Sequence, residues 1–188
     1  MTYIASKLTG ESFQEQLSQK ILILDGAYGT ALQGYKLAEE DYRGARFSGH
    51  GSPLQGNHDV LNLVKPEVVA EVHASYLDAG ADIISTNTFS ATSLAQADFG
   101  LEDFAFEINQ TGAELARQIA DRYTTVGKPR FVAGSIGPTN RSASLSPDVD
   151  APGFRNITFD ELVEIYTESI DGLIAGGVHL LMLETVFD

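Results

Sequence analysis

A parallel βα architecture is predicted by three features of this chain: short apolar runs that end in polar residues, helix-patterned stretches between them, and an internal echo. The runs are 21–24 before Asp25, 83–86 before Asn87, 131–136 before Gly137-Pro138-Thr139-Asn140, and 180–183 before Glu184. Short, nearly continuous apolar runs mark parallel strands buried on both faces. The echo aligns Gly80-Ala81-Asp82-Ile83-Ile84 through Asn87-Thr88 with Gly177-Val178-His179-Leu180-Leu181 through Glu184-Thr185. Each copy holds a helix stop, a strand and a polar strand end. Repeated βα units favour a parallel barrel of TIM type over a doubly wound sheet. No Gly-x-Gly-x-x-Gly follows the first run, which weakens a dinucleotide fold. A whole barrel takes ~250 residues; this chain has 188 and stops directly after the fourth run. An apolar strand edge left without a partner is a liability. The expected fold class is therefore α/β, a parallel TIM-type βα barrel of which only the first half, about four strands, is present. The expected organisation is a lead-in helix over 1–20 and the N-terminal half of a barrel domain over 21–188.

The elements follow in order. Residues 11–20 read as a short amphipathic helix, with Phe13 and Leu17 four apart on one side. Gly26-Ala27-Tyr28-Gly29-Thr30 is a tight turn into a short helical stretch. Residues 37–64 read as one long loop, because Gly44, Gly49, Gly51, Pro53 and Gly56 break any period. Pro66 is placed to open a helix at its first position, with Val68, Val69, Val72, Tyr76 and Leu77 as its buried stripe and Gly80 as its stop. A longer helix is predicted from about Phe104 to Tyr123, with Ile108, Leu115, Ala116 and Ile119 inward. Residues 137–157, rich in Gly, Pro, Ser and Asn, form a second long loop. Thr158-Phe159-Asp160-Glu161 has capping-box spacing and opens a helix burying Leu162, Ile165, Tyr166, Ile170 and Leu173, ended by Gly176-Gly177.

Composition bounds the function. An apolar fraction of 43% and a charged fraction of 20% are those of a globular protein. A net charge of −14 argues against nucleic acid or an anionic membrane surface as partner. With no cysteine, disulfides and thiolate metal sites within the chain are excluded. No run approaches a membrane span, and Met1 to Lys20 lacks the apolar core of a secretory signal. The expected location is the cytoplasm.

In parallel βα folds ligands sit at the carboxyl ends of strands, so the four polar strand ends point to one shared site. Asp25 is either a turn-capping carboxylate or a ligand for a cationic group such as an α-ammonium. Glu184, ending a buried strand, is harder to explain structurally. Two carboxylates on one rim could grip an amino group between them. The small residues and backbone amides of 26–30, near a helix start, suit a carboxylate or phosphate. Together they would suit an amino-acid zwitterion. The histidines His50, His58, His73 and His179 show no i, i+4 pairing of a zinc site and read as surface or capping residues.

At these residues the chain resembles the homocysteine-binding N-terminal domain of cobalamin-dependent methionine synthase. The matching stretches are ILDGAYGT (23–30), DYRGARF (41–47), GNHDVLNLVKPEV (56–68), AGADIISTNTF (79–89), GSIGPTNRSASLSPDV (134–149), FRNITFDELVEIY (154–166) and LLMLETVFD (180–188). The DGxxGT turn and the strand ending in Glu are shared with other homocysteine methyltransferases. The resemblance implies a βα barrel that binds homocysteine and zinc and passes the thiolate's attack to methylcobalamin held by another module. It implies Asp25 and Glu184 on the substrate amino group, the amides of Gly26, Ala27, Gly29 and Thr30 on its carboxylate, and Asn87, Thr139 and Asn140 lining the pocket. Ser85 stands where some relatives carry Glu. The family's three zinc cysteines are expected beyond Asp188, so no catalytic or metal residue is expected in this chain and no cofactor is expected on it alone. Zinc and cobalamin belong to the full-length enzyme. The expected partners are homocysteine, the missing C-terminal half of the barrel, and the cobalamin and folate modules. The leading expectation is thus the homocysteine-binding part of a methionine synthase, silent by itself. The alternatives are a non-catalytic amino-acid-binding or assembly module, and a barrel lyase or isomerase acting on a phosphorylated substrate.

Overall fold

The computed structural model describes residues 10–187. Residues 1–9 of the expected lead-in, and Asp188, lie outside the described residues. Helix α1 (Gly10–Gln19) sets the Phe13 ring edge-on against Phe131, with centroids 5.1 Å apart. A short α2 (Tyr28–Gln33) follows the glycine turn. Two further short helices, α3 (Glu39–Arg43) and α4 (Leu61–Val64), interrupt the stretch expected as one loop. They escape periodicity because each is about one turn long and is held by side chains. Asp41 accepts from the Ala38 amide at 2.9 Å, Lys65 pairs with Asp41 at 2.6 Å, and Glu39 accepts from the amides of Leu54 and Gln55.

Helix α5 (Pro66–Ala79) begins on its proline and ends at Gly80, whose φ of 111° is the left-handed cap expected of glycine. Strand β1 (Ile83–Ser85), helix α6 (Ser93–Gln96), two 3-10 turns, helix α7 (Ala105–Tyr123), strand β2 (Phe131–Ile136), helix α8 (Phe159–Ala175) and strand β3 (Leu180–Leu183) follow. Thr158 and Glu161 close the capping box of α8: the Thr158 hydroxyl accepts from the Glu161 amide at 3.2 Å and Glu161 accepts from the Thr158 amide at 2.7 Å.

The barrel expectation is corrected here. The described residues form an open, parallel, three-stranded sheet in the order β1-β2-β3, among elements that are mostly helices. The first apolar run contributes only a single parallel bridge, Leu24 to Ile83. Among the described residues its outer side meets no neighbouring strand, and Ile21 is 86% exposed. Nor is β3 buried on both faces: its residues alternate between half-buried and exposed, and Leu183 is 72% exposed.

Register fixes what each face carries. Ser85 pairs with Ala133, Ser135 with Met182, and Ile136 with Leu183. Side chains alternate along a strand, so Phe131, Ala133 and Ser135 share one face with Ile83, Ser85, Leu180 and Met182. That face packs Ile83, Phe131 and Ala133 against Phe13 and Leu22. On the other face Ile84 and Val132 pack with Leu77, Ala116, Ile119 and Ala120 of α5 and α7. Ile136 packs with Ala113 and with Leu173 of α8. At the carboxyl ends of β1 and β2, Ser85 and Ser135 stand on the face opposite α5 and α7.

Candidate functional site

Asp25 is placed by the Leu24 bridge. Its amide donates to the Ile83 carbonyl at 2.9 Å, and its carboxylate accepts from the Ser85 amide at 2.7 Å and the Ser85 hydroxyl at 2.8 Å. Burial pushes its pKa up to about 6 against the lowering effect of the two Ser85 bonds, and the charge of Glu184 adds to the rise. Glu184 is the residue directly after β3. Its amide donates to the Ile136 carbonyl, and its Oε1 accepts a short bond from the Ser135 hydroxyl. Thr185 then turns the chain away at φ 56°, a left-handed conformation uncommon for a side-chain-bearing residue.

Both carboxylates border one hollow of about 540 Å³. Asp25 enters from the β1 edge and Glu184 from the β3 edge, across the serine-bearing face. Gly26, Ala27 and Gly29 line it on one side; Asn57, His58 and Asp59 line it on another. No Lys or Arg stands on this wall among the described residues. The His58 Nδ1 pairs with the Tyr42 hydroxyl at 3.0 Å, and burial lowers the ring's pKa.

Asn87 borders the hollow, and its Nδ2 donates to the His58 carbonyl at 2.7 Å and to Asn62 at 3.2 Å, which ties loop 57–62 to the end of β1. The other sequence candidates fall elsewhere. Thr30 sits in α2, exposed, and does not line the hollow. Thr139 lines a separate, mostly apolar hollow of about 490 Å³ between β2, α8 and the residues after β3, and its hydroxyl donates to the Arg141 carbonyl. Asn140 is exposed and donates to Asp98 at 2.8 Å. The chain is diverted at Gly137, where a Cβ would stand 2.2 Å from the Phe89 carbonyl oxygen and where Tyr166 donates to the glycine carbonyl.

Among the bordering residues that were not sequence candidates, Ser85, Ser135 and Asp59 bear most on the site. Ser85 and Ser135 orient the two carboxylates, and strand alternation is the signal that could have found them. Asp59 lies in a loop that offered no pattern. His73, read as a surface residue, is fully buried between α2 and α5, and burial pushes its pKa down to about 3. Its ring lies 5.0 Å from that of Tyr28, whose hydroxyl donates to the Val69 carbonyl.

The hollow, walled by carboxylates and a small-residue turn, lies at the carboxyl ends of a parallel sheet, where βα enzymes place their sites. The model of the Homocysteine S-methyltransferase family matches residues 22–188, and the chain belongs to that family. It is similar to the homocysteine methyltransferase MmuM from Escherichia coli in its metallated form, at 25% identity and a TM-score of 0.67, over 93% of this chain and 57% of that one. The oxidised form gives 25% identity and 0.66, over 90% and 55%. The apo form, at 23% identity and 0.55, over 88% and 49%, supports the fold alone. The chain thus spans about half the length of these relatives.

These matches correct the resemblance to cobalamin-dependent methionine synthase. The family shown is Homocysteine S-methyltransferase, and the solved structures it resembles are forms of MmuM, so cobalamin leaves the expected cofactors, and the cobalamin and folate modules leave the expected partners. The expectation of a methionine-synthase part that waits silently for those modules falls with them. Among the described residues no three His, Asp or Glu side chains group as a metal site, and the sequence has no cysteine. The described residues do not fit the metal of the metallated MmuM form. No helix among the described residues is long and apolar enough to cross a membrane.

Proposed function

We propose that this hollow binds homocysteine as the acceptor in S-methyl transfer. The observation that carries the reading is the meeting of Asp25 and Glu184, far apart in sequence, on the wall of one cavity that holds no basic side chain. A like charge nearby disfavours ionisation, and the charge of Glu184 adds a small part to the rise that burial imposes on Asp25. An α-ammonium between them relieves that repulsion and gains charge-assisted hydrogen bonds. Ser85 and Ser135 fix the carboxylates before the ligand arrives, which lowers the ordering cost of binding. The substrate carboxylate rests against the Gly26–Gly29 turn, where the small residues let the backbone approach. The thiol arm then extends toward loop 57–60.

Family membership and the likeness to MmuM support the reaction. A cytoplasmic setting is part of the same proposal, supported by the acidic, cysteine-free composition. Calorimetric titration of L-homocysteine into the chain tests the reading. Saturable one-to-one binding that weakens as pH falls through about 6, where Asp25 takes up a proton, is expected. No saturable heat, or binding indifferent to Asp25→Asn and Glu184→Gln together, would overturn it.

A further inference from the structure

We propose that Thr88 is a positioning residue for Glu184: it closes a ring of hydrogen bonds around Ser135 and so fixes where the second carboxylate stands in the hollow. This rests on the reading above that Glu184 holds the ligand ammonium.

The ring begins where the β1–β2 ladder stops. The Thr86 amide donates to the Ala133 carbonyl at 2.9 Å. A parallel ladder would continue with the Ser135 amide on the Thr86 carbonyl and the Thr88 amide on the Ser135 carbonyl. Side chains take both places. The Ser135 amide donates to the Thr86 hydroxyl at 2.9 Å, and the Thr88 hydroxyl donates to the Ser135 carbonyl at 2.8 Å. A threonine hydroxyl has one hydrogen to give, and that of Thr88 is spent on Ser135. In the 2.6 Å contact between the two hydroxyls, Thr86 is therefore the donor. The bonds run one way round, from the Ser135 amide through Thr86 and Thr88 back to the Ser135 carbonyl. Thr86, Thr88 and Ser135 are all buried, where such bonds are strong and a missing one is costly.

The same serine carries the carboxylate. The Ser135 hydroxyl donates to Glu184 Oε1, and the Glu184 amide donates to the Ile136 carbonyl. Glu184 is thus hung from the end of β2, and the end of β2 is held by the threonine ring. Ser85, which binds Asp25, directly precedes Thr86. One segment, Ser85 to Thr88, therefore sets both carboxylates in a common frame, the first directly and the second through Ser135. Thr86 and Ser135 border the hollow, whereas Thr88 does not, so Thr88 acts on a ligand only through its neighbours. Its methyl group faces α7 at Gly112, where a Cβ would stand 3.0 Å from the Thr88 Cγ2. Valine would fill the same space against α7; what threonine adds is the hydroxyl. Fixing a charged partner before the ligand arrives lowers the ordering cost of binding.

The experiment compares L-homocysteine with 4-mercaptobutanoate, which keeps the thiol and the carboxylate but has no ammonium. Wild type should prefer homocysteine. Thr88→Val leaves the Ser135 carbonyl without its donor and should reduce that preference roughly 5- to 10-fold, with 4-mercaptobutanoate binding unchanged. Thr88→Ser, which keeps the hydroxyl, should retain the preference. In a Ser135→Ala background, Thr88→Val should reduce it no further, because the two act in one chain. If Thr88→Val does not fold, Thr88→Ala against Thr88→Ser asks the same question of the hydroxyl, with the same expected loss and retention. A folded hydroxyl-free variant that keeps the full preference, or one that weakens both ligands equally, would overturn the positioning role and leave the homocysteine reading in place. Loss of the preference in Thr88→Ser would assign the effect to the methyl packing and overturn it as well. Equal binding of the two ligands by wild type would sink the ammonium reading on which the proposal stands, and the proposal with it.

Discussion

Replacing Asp25 by Asn should stabilise the empty protein and weaken its ligand binding at once. The folded-state pKa of Asp25 is raised from 3.8 to about 6. A group whose folded pKa is raised contributes most below its unfolded pKa, and that contribution is lost as pH rises through the folded value. At 1.36 kcal/mol per unit, holding Asp25 ionised costs the empty fold about 3 kcal/mol above pH 7. An amide is neutral throughout and can still accept from the Ser85 amide while its Nδ2 faces the Ser85 hydroxyl. Allowing for the weaker neutral bonds, the variant should gain about 1–2 kcal/mol at pH 7.5, and a Tm higher by roughly 2–8 °C. Homocysteine loses one charge-assisted partner for its ammonium, and its affinity should fall roughly 10- to 150-fold. Urea melts at pH 4 and pH 7.5, paired with calorimetry, read both effects. The stability gain should vanish at pH 4, where wild-type Asp25 is largely protonated. A variant less stable at pH 7.5 by the same margin as at pH 4, or one that binds homocysteine as tightly as wild type, would refute the reasoning.

Three further outcomes are expected. Glu184→Gln should weaken homocysteine about 10-fold and, in the empty protein, lower the Asp25 pKa only slightly, since burial remains its main cause, read by NMR titration of the carboxyl. Gly137→Ala should destabilise by about 1–3 kcal/mol, because its Cβ would collide with the Phe89 carbonyl oxygen at 2.2 Å; an unchanged urea midpoint would count against that packing. Thr158→Ala removes the cap and half of the capping box of α8 and should cost about 1 kcal/mol, seen as a lower melting midpoint with homocysteine binding retained.

The sequence made the helices legible where local chemistry decides them. Pro66, Gly80 and the Thr158–Glu161 pair act within a turn, and each does what its residue type predicts. The strands were legible as apolar runs but not as a closed sheet. An apolar run does not show whether a neighbour lies beside it: among the described residues Ile21 joins no strand, and Leu183 has a neighbour on one side only. Asp25 and Glu184 could be singled out because a carboxylate at the end of a buried strand has few structural reasons to be there. Thr139 and Asn140 obeyed the same strand-end rule and still missed the hollow, since the close approach of Gly137 to Phe89 bends the chain toward α8. Asp59 was invisible because its burial comes from contacts between two loops, which no periodicity records. The family was reached through the DGxxGT turn and the strand-end Glu, both on the hollow. The subtype was misjudged from segments such as 154–166, of which no residue lines the hollow.

The claim on which the account depends is that Asp25 and Glu184 act on one ligand group, the α-ammonium. Calorimetry with L-homocysteine and with 4-mercaptobutanoate, which lacks that ammonium, measures this directly in wild type, both single variants and the double variant. Strong preference for homocysteine in wild type, reduced in each single variant and absent in the double, with losses that do not add, is the predicted result. Equal binding of the two ligands by the wild-type chain would contradict it.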